Sequence, residues 1–387
     1  MRALQFSRSE ARYAAAAVSS RLRPGSGARS GPLALIDDDA PELPGPGWHR
    51  VRTLLAGICG SDLATVDGRS ARYFEPWVSF PFVPGHEVVG RLDDGTRIAL
   101  EPVLGHAARG FEPPFAGASP GDGDDYRHLV GGQLEPGIQT GYCASTGGGW
   151  SSEFVAHESQ LHPVPDELTD EAAVMIEPTA VGVHAALKAA VAPGATVAVI
   201  GSGTMGLATI AALRHLTEAG TIIAAAKYPE QVELARALGA ATVVAPAELG
   251  RAVRRATGSY LIGDDLSGGA DVVVDAVGTA ASIDEAIGIA RPRGRVVLVG
   301  MPGRVNVDLT ALWHRETELV GAYTYGTEVL ADGSTRRTFD LATELVATAD
   351  LGRLVSATYP LESYREAIEH AANGGRRGAI KVCFDLR

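Results

Sequence analysis

Short apolar runs separated by glycine, proline and charged residues dominate residues 1–165 of this chain. "HRVRTLLAGI", "RIALEPV" and "SEFVAHE" each carry five or six strand-forming positions between turn signals, which predicts a β-rich region. From about residue 167 the rhythm changes. "TVAVIG" (196–201) reads as a buried strand and "TMGLATIAALRHLTEAG" (204–220) as a helix closed by glycine. "TIIAAA" (221–226) is again a strand, and "PEQVELARALGA" (229–240) a helix with proline at its start. "DVVVDAVG" (271–278), "ASIDEAIGIA" (281–290) and "RVVLVG" (295–300) continue the alternation. Strand–helix alternation of this kind predicts a parallel, doubly wound sheet. Beyond about 310 the pattern is mixed, with "ELVGAYTYG", a helix near 337–348 and a last strand in "AIKVCFDL". The expected fold class is α/β, in which a β-rich catalytic domain (1–165) is interrupted by a dinucleotide-binding domain (166–308). The chain then returns to the first domain over 309–387.

Composition narrows this picture little. At 387 residues, two domains are the natural expectation. A net charge of −12 without a basic block argues against nucleic acid and anionic membranes as partners. No stretch approaches the ~20 apolar residues of a membrane span. Segment 11–31, rich in Ala, Arg and Ser, superficially resembles a transit peptide. It lies between two strand patterns, "MRALQF" and "GPLALID", and reads as an excursion between them. Three cysteines, Cys59, Cys143 and Cys383, supply no disulfide framework and fit a reducing cytoplasm.

"GSGTMG" (201–206) is a G-x-G-x-x-G at the end of one strand pattern and the start of a helix pattern. In that context Gly201 permits the turn, Gly203 the approach of a pyrophosphate and Gly206 close packing of helix on strand. Thr204 and Met205 open the helix whose N–H groups would face the phosphates. The second strand ends without the carboxylate that holds a ribose 2′-hydroxyl. Ala226 occupies that place and Lys227, one of three lysines, follows, so NADP is expected over NAD.

"PFVPGHEVVG" (81–90) sets His86 and Glu87 side by side, 27 residues after Cys59 in "GICGSD". A thiolate, an imidazole and a carboxylate are zinc donors, and Glu177 is an acid in the otherwise apolar "VMIEPTAVG". Spacing alone leaves core and surface roles open for each.

The succession "GICGSD", "PFVPGHEVVG", "GGGWSSEFVAHESQLHPVPDEL", "IEPTAVGVHA", "GSGTMG" resembles the zinc-dependent medium-chain alcohol dehydrogenases, on the sorbitol, threonine and glucose dehydrogenase side, over about residues 50–385. The resemblance implies a GroES-like catalytic domain and a Rossmann domain. It implies Cys59 and His86 as zinc ligands, Glu87 as ligand or exchangeable neighbour, and Glu177 as fourth donor. Ser61 would relay the alcohol proton and Asp62 orient the zinc histidine. It further implies a small-molecule alcohol or carbonyl substrate, hydride exchange with NAD(P) and a homo-oligomer, dimer or tetramer. Where such enzymes often carry a cysteine lobe with a structural zinc, this chain reads His106, Phe115, Ala118 and Tyr126. One catalytic zinc and no structural zinc are therefore expected, with the lobe held by packing of Phe115 and Tyr126 or left mobile. Alternatives on the same sequence are a zinc-free quinone or enoyl reductase and a non-catalytic nucleotide-binding homologue.

Overall fold

Two units emerge from the computed structural model, which describes residues 1–387: Met1–Glu177 with Asp350–Arg387, and Pro178–Ala349. The first unit is built on a seven-stranded sheet. Across it run Val355–Tyr359, Lys381–Asp385, Trp48–Gly57, Val88–Leu92, Arg97–Leu100 and Leu161–Pro163, with Glu153–His157 also paired to Trp48–Gly57. All pairs are antiparallel except that of Val355–Tyr359 with Lys381–Asp385. The last strand thus returns to the first domain, as its apolar pattern predicts. Trp150, Phe154, Phe384 and Val88 lie in its main core, with the Trp150 indole N–H donating to the Gly57 carbonyl at 3.1 Å.

Residues 2–6 and 33–37 pair as an antiparallel ribbon, and the Ala/Arg-rich segment between them forms the helices Glu10–Leu22 and Gly27–Ser30. The excursion is tied to the helix Gly60–Val66. Ser20 Oγ donates to the Asp67 carbonyl (2.9 Å), and the buried Asp67 carboxylate accepts the N–H groups of Gly25 and Gly27.

The second unit holds a six-stranded, all-parallel sheet in the order Thr242–Val244, Thr221–Ala225, Thr196–Ile200, Ala270–Asp275, Ala290–Leu298, Glu318–Gly321. Order reverses between Thr196–Ile200 and Ala270–Asp275, the doubly wound topology that opens a crevice at the strands' carboxyl ends.

The domain limits need correction. The first unit extends through Glu177 instead of 165, and the return begins at 350 instead of 309. The reason lies in the segment read as mixed: Glu318–Gly321 adds the sixth parallel strand, and the helix Thr338–Thr348 packs on the helix Thr204–Leu216.

Candidate active site

Cys59 is the N-cap of the helix Gly60–Val66. The Asp62 N–H donates to its sulfur, and the Cys59 N–H donates to Asp62 Oδ2 at 3.0 Å. The spacing C-G-S-D is thus a capping box, and it fixes thiol and carboxylate together at one helix end. His86 enters from the loop before Val88–Leu92. Its Nδ1 lies 3.4 Å from Asp62 Oδ1 and its Nε2 3.4 Å from Ser61 Oγ. Burial disfavours the imidazolium, but Asp62 and then Cys59 outweigh it and hold the His86 pKa well above 6.5. Nδ1 is buried and makes no well-directed hydrogen bond. Four of the expected residues, Cys59, Ser61, Asp62 and His86, are therefore brought to one corner of the first unit.

Glu87, expected as a ligand or an exchangeable neighbour of the metal, is paired with Lys381. Both carboxylate oxygens accept from Lys381 Nζ, at 2.6 and 2.7 Å, and the pair is buried, Lys381 only 3% exposed. Burial would favour neutral lysine, but Glu87 and then Cys59 raise the Lys381 pKa above its ordinary value. Gly57 makes room for this pair, since a Cβ there would sit 2.0 Å from Glu87 Oε2. Lys381 is not among the residues that the sequence motifs single out. Its only signal was a lysine inside the apolar strand "AIKVCFDL".

Glu177 is buried in the first turn of the helix Ile176–Lys188. No three His, Cys, Asp or Glu side chains stand close enough together to hold one ion. The donor chemistry of the corner therefore fits zinc through two residues, Cys59 and His86, with Asp62 behind the imidazole as such sites require.

Tyr142 covers the corner. Its ring packs 5.2 Å from Phe82, and its hydroxyl meets Thr65 Oγ1 (3.2 Å) and donates to Asp62 Oδ1 (3.4 Å). Burial and the Asp62 charge push its pKa well above 10, so the phenol stays protonated.

In the lobe, the expectation that Phe115 and Tyr126 pack inside is wrong: they are 49% and 57% exposed. Arg109, 1% exposed, takes the interior. Its guanidinium donates to the carbonyls of Leu104 (3.2 Å), Gly131 (3.0 Å), Glu135 (3.3 Å) and Gly137 (2.6 Å). His106 stacks on His128, centroids 3.9 Å apart. Cys143 is a buried packing residue beside Leu104, Ala108 and Trp48, its thiol pKa raised by burial.

In the second unit, Gly201 has φ +91°, and a Cβ at Gly206 would lie 1.9 Å from the Gly201 carbonyl oxygen, so the helix Thr204–Leu216 packs on the turn only through glycine. A Cβ at Gly203 would meet nothing within 4 Å. Ser202 Oγ ties the loop to the Ala225 carbonyl at 2.9 Å. Ala226 is buried and Lys227 exposed, its Nζ 5.7 Å from the Tyr228 ring. Asp275, buried and missed, accepts the N–H groups of Val277 and Gly278 and the hydroxyl of Ser282, shaping the neighbouring strand end.

Residues 45–166 match the alcohol dehydrogenase GroES-like domain and residues 204–347 the zinc-binding dehydrogenase domain. A putative D-xylulose reductase of Agrobacterium fabrum is 30% identical over 86% of this chain and 90% of that protein. The chain belongs to the zinc-dependent medium-chain alcohol dehydrogenase family. Among relatives of this family, the sorbitol dehydrogenase of Bacillus subtilis is 28% identical over 83% of this chain and 85% of its own length. The crystal structure of 2R,3R-butanediol dehydrogenase from Bacillus subtilis shares the fold, with a TM-score of 0.69 at 22% identity over 91% of this chain and 96% of that one. The GroES-like and Rossmann architecture predicted for this dehydrogenase is the one observed.

Proposed function

We propose that this protein is a zinc-dependent oxidoreductase that moves hydride between a secondary alcohol or polyol and NAD(P), reversibly. The observation that carries the reading is the meeting of Cys59 and His86 on the Asp62 capping box, in a chain whose relatives include a sorbitol dehydrogenase and a putative D-xylulose reductase. Cys59 and His86 would anchor the metal, with Glu177 as a further donor. When bound, zinc supplies Lewis-acid polarisation of the substrate oxygen. Asp62 holds the His86 ring and compensates its charge. Ser61, 3.4 Å from His86, accepts the alcohol proton. Lys381 keeps the Glu87 carboxylate paired. Gly201, Gly203, Thr204, Met205 and Gly206 would hold the pyrophosphate, and Lys227 beside Ala226 favours NADP.

Replacing the cysteines of a structural site by the Arg109 hub supports one zinc per chain. Homo-oligomeric assembly and a cytoplasmic location rest on the family resemblance and cysteine usage, and gel filtration tests the first. The central experiment assays sorbitol, xylitol and 2,3-butanediol with both nicotinamides on metal-quantified protein. Activity with zinc near one equivalent is expected, with kcat/KM higher for NADP. Cys59→Ala should lose zinc and turnover together while keeping nucleotide affinity. A Cys59→Ala protein of normal activity would refute the assignment.

A further inference from the structure

Two loops stand side by side where the strand order of the second unit reverses. One follows Thr196–Ile200 and carries the glycines. The other follows Ala270–Asp275 and reads Ala276, Val277, Gly278. Such a reversal is where doubly wound sheets take their ligands. Asp275 stands at the base of the second loop, fully buried. Its Oδ1 accepts the N–H groups of Val277 (2.8 Å) and Gly278 (3.1 Å). Its Oδ2 accepts the hydroxyl of Ser282 (2.9 Å) on the helix Ala280–Ile289. The Asp275 carbonyl accepts the N–H groups of Val299 (2.9 Å) and Gly300 (2.8 Å), and the Ala276 N–H donates to the Ile200 carbonyl at 3.0 Å. Val277, the loop's one large side chain, is 45% exposed and leans on the glycine turn, where a Cβ at Gly201 would sit 2.6 Å from Val277 Cγ2. On the other side the loop has no slack, since a Cβ at Gly278 would lie 2.7 Å from the Gly300 carbonyl carbon.

We propose that Asp275 is a positioning residue for the dinucleotide. By holding residues 276–278 it keeps Val277 as an apolar wall beside the glycine turn, and so sets nucleotide affinity without touching the nucleotide. This rests on the nucleotide-binding reading of the second unit. The physical reason is pre-organisation. Without an acceptor for its N–H groups the loop samples other orientations, and a ligand then binds only the fraction of molecules in which the wall stands. A carboxylate suits the anchor because hydrogen bonds to an ionised acceptor are stronger than neutral ones. The geometry asks for an acceptor more than for a charge. Asparagine keeps an oxygen for both loop N–H groups, and its amide can donate to Ser282 Oγ, whose own hydroxyl has the Thr279 carbonyl at 3.0 Å. Alanine offers neither contact.

Fluorescence titration of the purified full-length protein with NADPH and with NADH is the test. Asp275→Ala should weaken the tighter-bound nucleotide by about tenfold or more, the cost of ordering the loop on binding. Bound zinc should not change. Asp275→Asn should bring Kd back to within about threefold of the wild type, because the acceptor is kept. Val277→Gly leaves the anchor in place and removes the wall, and should weaken binding by about threefold or more. If Asp275→Ala does not fold, Ser282→Ala, which removes one of the three donors, should show a smaller loss in the same direction. An Asp275→Ala protein that melts earlier yet binds both nucleotides as the wild type does marks the carboxylate as structural and overturns the positioning role. Asp275→Asn binding as poorly as Asp275→Ala also overturns it, and so does Val277→Gly with the wild-type Kd. A wild type that binds neither nucleotide removes the nucleotide-binding reading itself, and this inference with it.

Discussion

Two regions of the first unit each bury a cation, and they treat it in opposite ways. In the lobe, Arg109 spends its donors on four backbone carbonyls and pairs with no carboxylate. In the corner, Lys381 is matched to a single acid, Glu87, while Cys59 and His86 each engage Asp62. The guanidinium fork can satisfy several carbonyls at once, which lets it do by hydrogen bonding what a tetrahedral metal does by ligation. The ammonium is a point charge and neutralises one partner. The lobe is therefore closed chemically. The corner gathers a thiol and an imidazole at one carboxylate, Asp62, and both are donors that a borderline-soft cation accepts.

The largest effect should come from breaking the corner's ion pair. Lys381→Met leaves the Glu87 carboxylate buried without its partner, which costs about 3–5 kcal/mol. Urea unfolding of purified protein measures it. A loss below about 1 kcal/mol would mean the pair is compensated by water. Zinc content sharpens the contrast, since freeing Glu87 adds an oxygen donor to the sulfur of Cys59 and the nitrogen of His86 and should not reduce the bound metal.

Arg109→Met tests the lobe in the same way. It removes the charge and leaves up to four carbonyls short of a donor, at about 1–3 kcal/mol for each that water does not reach. About 3 kcal/mol in all is the expected loss. A chelator should leave this lobe's amide-exchange protection unchanged in the wild type. Chelator-dependent exchange across 104–137 would show that a metal, and not Arg109, closes it.

Acid acts next, and on the lobe. Burial first, then the charges of His106 and Arg109, lower the His128 pKa to about 4, against the pull of the Asp125 carbonyl and carboxylate. A depressed histidine is neutral when folded, so its contribution is complete above the unfolded value near 6.5. It is lost as pH falls from there to about 4. The span corresponds to at most about 3 kcal/mol, less wherever water screens the ring. His128→Phe should flatten the pH dependence of stability between 6.5 and 4.

How much of this was readable in advance follows from distance along the chain. The capping box Cys59–Asp62, the glycine loop and the strand–helix alternation are local, so spacing and period expose them. Lys381 meets Glu87 across 294 positions, and no local pattern marks such a pairing. The boundary at 350 was lost because Glu318–Gly321 is a short edge strand whose membership only sheet pairing reveals. Arg109 carries no local mark, because arginine is ordinarily a surface residue. Phe115 and Tyr126 stand where thiolates are expected, and aromatic rings at such positions suggest an apolar interior.

That last expectation yields the smallest and most discriminating prediction. If aromatic packing held the lobe, Phe115→Ser would cost several kcal/mol, as truncation of a buried aromatic does. With Phe115 half in water and Arg109 at the centre, the change should stay within about 0.5 kcal/mol. Chemical denaturation of Phe115→Ser beside Arg109→Met therefore separates the two accounts of one segment. Equal, large losses would return the aromatic ring to the lobe's interior in solution, while a silent Phe115→Ser with a costly Arg109→Met assigns the closure to the guanidinium and its four carbonyls.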